Sequence, residues 1–242
     1  MGAPRPWRKT MFGLFYYDWT ILLVIPALII SVWAQMKVSS TYKKYSTVYT
    51  RGGLTGAQAA RAILDKNGLG HVGIERVSGH LTDHYDPKAN VIRLSDSVYD
   101  SSSTAAVGVA AHEAGHAVQY AQHYAPIKLR SAIIPITRFG SMLAMPLFFI
   151  GLIMASEPFM LFGVLLYATV ALFQLVTLPV EFNASSRALA SLDRSMMLTQ
   201  EELFGAKQVL SAAAMTYVAA LLTSLLTLLR LLLLVRGRSN RR

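Results

Sequence analysis

Two histidines one helical turn apart flank a glutamate in His112-Glu113-Ala114-Gly115-His116. On an α-helix, positions i and i+4 share a face, so both imidazoles can reach one metal ion. Glu113 follows the first histidine and can reach a water on that ion. Zinc lowers the pKa of such a water, and a carboxylate beside it can take its proton as it attacks a carbonyl. The spacing therefore predicts metal-assisted hydrolysis, with His112 and His116 as ligands and Glu113 as general base. The alternative is a buried helix with incidental polar groups. Burying two imidazoles and a carboxylate without partners costs on the order of several kcal/mol, which argues against it.

A catalytic zinc usually takes three protein ligands and keeps one open position. His123 follows His116 by seven residues, and a straight helix carries it about 10 Å away. No H-x-x-G-x-x-H continuation is present, because Ala117-Val118-Gln119-Tyr120 follows. Glu181 is the acidic candidate, in Pro179-Val180-Glu181-Phe182-Asn183-Ala184-Ser185-Ser186-Arg187-Ala188, where a long apolar stretch ends. An isolated carboxylate at a membrane exit wants a partner. Zinc is one and a salt bridge to Arg187 is the other. Ser185 and Asn183 lie on the same predicted helix, Ser185 at i+4, placed to hydrogen-bond a ligand. Arg187 reads equally as an oxyanion donor or as half of a surface ion pair. Glu201 and Glu202 read as helix-start acids.

A second polar segment is Gly79-His80-Leu81-Thr82-Asp83-His84-Tyr85-Asp86. Leu81 to Asp86 and Asn90 to Ser95 read as a hairpin around Asp86-Pro87-Lys88-Ala89. Alternation puts Thr82, His84 and Asp86 on one face and Leu81, Asp83 and Tyr85 on the other. An extended peptide could add to such an edge, where His84, His80 or Asp83 would contact substrate or oxyanion. The plainer alternative is a polar edge that resists aggregation.

These groups need elements to hold them. Helices are expected over Leu54 to Asn67, stopped by Gly68, and over Ser101 to about Gln122. A strand is expected over His71 to Val77. The remainder is unusually apolar: 242 residues, 53% hydrophobic, 15% charged, mean hydropathy +0.41. Soluble domains run nearer a quarter charged. Four stretches suit a bilayer: Trp19 to Trp33, interrupted by Pro26, then Ile133 to Ala155, Phe159 to Val180 and Ala212 to Val235. Arg138 and Arg230 lie near span ends and can snorkel. No small-x-small cleavage site follows the first stretch, so it reads as a retained anchor. Four spans put Lys37 to Arg130 and Glu181 to Gln208 on one side, where they can build one site. Zero cysteines exclude disulfides and thiolate ligands. The net charge of +10, with Arg236, Arg238, Arg241 and Arg242 at the end, points to anionic lipid rather than nucleic acid. Counting Lys and Arg in the short loops does not decide orientation.

The chain resembles the YugP-like neutral zinc metallopeptidase family of bacterial membrane proteins. The resemblance is carried by Gly53-Leu54-Thr55-Gly56-Ala57, Gly79 to Pro87, Val109 to Ala117 and Leu178 to Ala188, in that order. It covers roughly residues 19 to 210. More distantly it is similar to the HtpX-like and prenyl-protein-processing membrane proteases. Those pair H-E-x-x-H with a glutamate at the exit of a later span, which implies Glu181 as third ligand. They carry an aspartate where this chain has Ser185.

The expected fold is a multi-pass α-helical membrane protein of about four spans with a small α+β zincin-like (gluzincin) catalytic domain. Its parts are a tail and first anchor (1–36), the zincin-like domain (37–130), two spans (131–180), the helix carrying Glu181 (181–211), a fourth span (212–235) and a basic tail (236–242). The expected activity is a zinc endopeptidase, one Zn2+ per chain, acting on membrane or membrane-proximal polypeptides in quality control. The resemblance implies a bacterial plasma-membrane location with the site on the cytoplasmic side. Expected partners are polypeptide substrate and lipid, with a membrane regulatory partner or a homo-oligomer as a further expectation. The alternative is a catalytically idle zinc-binding scaffold that regulates a partner complex. Zinc transport is disfavoured, because span three carries no ionisable residue.

Overall fold

The computed structural model describes residues 19–239. Arg5, Arg8, Lys9, Arg241 and Arg242 lie outside the described residues. A short 3-10 turn over Trp19–Leu23 leads into α1 (Val24–Tyr45). Then come α2 (Gly56–Lys66), β1 (Gly73–Val77), β2 (His84–Asp86), β3 (Val91–Ser95), α3 (Thr104–Ala121), α4 (Ala125–Ile153), α5 (Glu157–Arg194) and α6 (Gln200–Ser239).

Among the described residues, four helices are long and apolar enough to cross a membrane, and each extends beyond its predicted apolar stretch at one end or both. Pro26 lies in the first turn of α1, where backbone N–H groups have no intrahelical partner, so it starts the helix instead of interrupting it. α5 is 38 residues, about 57 Å long at 1.5 Å per residue. It passes Glu181 without a break, so that residue rides on the continuation of the third span. Large apolar side chains such as Phe139, Ile153, Leu165 and Leu172 stay exposed, as lipid-facing residues do. Between α4 and α5 small residues allow close contact: a Cβ on Gly163 would sit 2.8 Å from the Ala144 carbonyl oxygen.

The polar layer gathers where α1 and α5 end and α4 and α6 begin. Its sheet has the order β1-β3-β2, with β1 parallel and β2 antiparallel to β3. β2 is therefore an edge. It is shorter than expected, because Leu81 (φ 55°) and Gly79 (φ 118°) leave the extended region. Asp83 is held by the Ser95 backbone N–H at 2.7 Å and the Ser95 hydroxyl, which pins the hairpin's entry to β3. Thr55 caps α2 in a reciprocal arrangement with Gln58, and Gly68 (φ 73°) follows its end. Glu202, buried at the start of α6, accepts from its own Thr199 N–H and from Arg51 N–H at 2.7 Å, tying the loop after α1 to α6.

One apolar core joins this layer to the long helices. Ile92 and Leu94 of β3 and Ile63 and Leu64 of α2 pack with the alanines of α3. Ala188 and Leu192 of α5 and Ala206 and Leu210 of α6 complete the same cluster. Ala106, Ala110, Ala111 and Ala114 are all fully buried. Two glycines set the spacing. A Cβ on Gly108 would lie 3.2 Å from the Ala206 Cβ, and one on Gly115 only 2.6 Å from the Ala184 carbonyl oxygen. Gly115→Ala therefore forces α3 away from α5. It is expected to destabilise the protein by about 1–3 kcal/mol. Thermal unfolding followed by circular dichroism should show a lower midpoint, while Gly52→Ala, whose Cβ meets nothing within 4 Å, leaves it unchanged.

Candidate metal centre

α3 starts at Thr104 because Ser103 accepts a hydrogen bond from Ala106 N–H at 3.2 Å. Two turns on, its 112–116 segment crosses α5 at the Gly115–Ala184 contact. Glu181 lies one turn before Ala184 and reaches back across the crossing. Its Oε2 is 3.2 Å from His112 Nε2 and 3.5 Å from His116 Nε2. Among the described residues, His112, His116 and Glu181 form a group whose ligand atoms all lie within 4.8 Å of one another. Glu181 is only 2% exposed.

The donor set fits zinc. Bonds of about 2.0–2.1 Å at tetrahedral angles place neighbouring ligand atoms about 3.3–3.4 Å apart. The two imidazole–carboxylate separations, 3.2 and 3.5 Å, bracket that value. The tautomers also fit. Gln119 Nε2 donates to the Val180 carbonyl at 2.8 Å and to Asn183 Oδ1 at 2.9 Å, so its Oε1 faces His116 Nδ1 at 3.0 Å as an acceptor. His116 then carries a proton on Nδ1 and, when neutral, a lone pair on Nε2. The Ser185 hydroxyl stands 3.1 Å from His112 Nδ1 and can do the same for the other imidazole. Glu113 is buried, 8% exposed, and lies close enough to act electrostatically on His116.

Other anticipated residues lie elsewhere. Asn183 holds Gln119 and accepts from Arg187 Nε at 2.6 Å. Arg187 also donates to Gln122 and lies over the Tyr124 ring, so Glu181 does not take it as its partner. His80 packs edge-on against Tyr42, and the exposed His84 donates from Nδ1 to its own Thr82 carbonyl. His123 occupies a left-handed turn (φ 54°) between α3 and α4. Sequence reasoning missed three groups. Gln119, fully buried, was signalled by an amide one turn after His116 on an Ala-rich face. Arg130 of α4 donates to Glu181 Oε1 at 3.1 Å. Tyr217 of α6 lies near enough to feel the charge of Glu181. Neither of these had a local signal.

The sequence profile of a family described as "Putative neutral zinc metallopeptidase" matches residues 20–236. The chain belongs to that family. It is similar to the "Putative membrane protease YugP" of Bacillus subtilis (strain 168), 48% identical over 221 residues, covering 91% of this chain and 98% of that protein. No solved structure matches. This zinc metallopeptidase family implies zinc, and the two imidazoles and one carboxylate offer a set of donors suited to it.

The site's electrostatics give a pH dependence. Burial disfavours the His116 imidazolium, but Glu181 accepting its proton and Glu113 nearby outweigh that, so His116 titrates above its ordinary 6.5. An imidazole must be neutral to offer its lone pair to a metal, so metal uptake displaces this proton. Zinc affinity should therefore fall as pH is lowered through the raised pKa, with the loss setting in above pH 6.5. Competition against a chelating dye across pH checks this. Gln119→Leu should weaken zinc binding about 10- to 100-fold at neutral pH, since His116 loses its orienting acceptor.

Proposed function

We propose that this chain is an integral-membrane zinc endopeptidase that cuts polypeptides at the membrane surface. The observation that carries the reading is the meeting of His112, His116 and Glu181 at tetrahedral-ligand spacing, with Glu113 buried beside them. Held there, zinc would supply Lewis acidity toward a peptide carbonyl and acidify a water. Glu113 takes the proton of the attacking water and passes it to the leaving amine. Gln119 and Ser185 keep the imidazoles in the tautomer that offers Nε2. The small α+β layer serves as a zincin-like (gluzincin) domain.

The substrate backbone adds to the free edge of β2, which lies against α3 through the Tyr85–Tyr120 ring contact at 5.5 Å. His84 and His80 are the donors on that side for a developing oxyanion. A site where α5 leaves the bilayer favours chains emerging from it, which suits quality control of membrane proteins. We assign the site to the cytoplasmic face of a bacterial plasma membrane.

Zinc per chain in purified, detergent-solubilised protein tests the site. The parent should hold about one equivalent and Glu181→Ala should lose it. Glu113→Gln should keep zinc and lose at least about 100-fold in cleavage of an unfolded membrane-protein substrate. Cleavage surviving in Glu113→Gln would remove the base, and zinc retained in Glu181→Ala would remove the third ligand. A parent that binds zinc yet cleaves nothing would favour an idle scaffold.

A further inference from the structure

We infer that Arg130 is a positioning residue of the metal site: it occupies one oxygen of Glu181, so that the carboxylate presents only the other to the ion. The inference rests on the zinc reading above and specifies how its third ligand is held. A carboxylate can bind zinc through one oxygen or both, and two-oxygen binding crowds the position that substrate and water need. In the structure the two oxygens have separate partners. Oε2 faces the Nε2 atoms of both histidines, and Oε1 accepts from Arg130 Nη1 at 3.1 Å.

The cost to the arginine argues for a role at this site. Its Nε is buried and has no hydrogen-bond partner. A surface ion pair would leave that N–H in water. Here the guanidinium gives up hydration to reach one carboxylate oxygen, and a buried donor is left unpaired. Placement agrees: Arg130 is in the second turn of α4, 14 residues after His116, where the chain enters its second span. The element after the histidine helix thus fixes the ligand that arrives from the next helix. Arg130 gives Glu181 a counter-charge from within the protein itself.

Arg130→Gln, which keeps length but loses the charged fork, is expected to weaken Zn2+ binding about 10- to 100-fold. It should also lower the visible absorption of the Co2+-substituted protein, because releasing Oε1 lets the carboxylate bind with both oxygens and raises the coordination number. Arg130→Lys should recover most of both signals. Arg138→Gln, an exposed cation farther along the same helix, should change neither. Parental affinity and an unchanged cobalt spectrum in a folded Arg130→Gln protein overturn the inference. Should that variant fail to fold, zinc-edge X-ray absorption of the parent decides: one carboxylate oxygen in the coordination shell supports the assignment, and two overturn it. A parent that binds no zinc fails the proposed function itself, which separates the two failures.

Discussion

The close approach of α3 to α5 at Gly115 and Ala184 is the contact on which the site depends. A backbone oxygen lies where a side chain on Gly115 would begin. Only a glycine between the two histidine-bearing turns lets the helices come this near. At that distance one short glutamate side chain spans from α5 to both imidazoles. A larger residue would have to push the Ala184 backbone aside. The small residues along the rest of α3 follow from the same need, since α6 crosses nearby at Gly108 and Ala206.

Around that crossing the polar groups form a connected set. Val180 and Asn183 of α5 hold the Gln119 amide, and the amide orients His116. Ser185, also on α5, stands against His112. The helix that carries Glu181 therefore orients both histidines as well. Within a buried layer each donor must find an acceptor, and this exchange between two helices satisfies several at once. α5 and α3 are locked into register by these bonds as well as by packing.

Some of this was legible in the sequence. A four-residue spacing reveals His112 and His116, because their geometry is local to one helix. Apolar length reveals the spans, and Pro87 the hairpin turn. Local signals failed where the neighbour comes from afar. Gln119 pairs with residues 61 and 64 positions on, and Arg130 with one 51 positions on. Such partners have no fixed spacing, so nothing in the sequence marked Arg130. Arg187, four residues after Asn183, invited a pairing with nearby Glu181 that the structure gives to Asn183 and Gln122 instead. Pro26 looked like an interruption, because the sequence does not show whether a proline begins a helix or sits within it. β2 came out short because a left-handed leucine is invisible to an alternation rule.

The chain order of the site groups also governs how the molecule comes into being. His112 and His116 are synthesised first, Arg130 follows, and Glu181 arrives only after α4 and most of α5. A nascent chain that has not yet inserted this helical hairpin holds two of the three clustered groups and lacks the third. Assembly of the centre is thus tied to completion of the membrane anchor. A polypeptide stalled or clipped before residue 181 would lack the only carboxylate of this three-residue cluster.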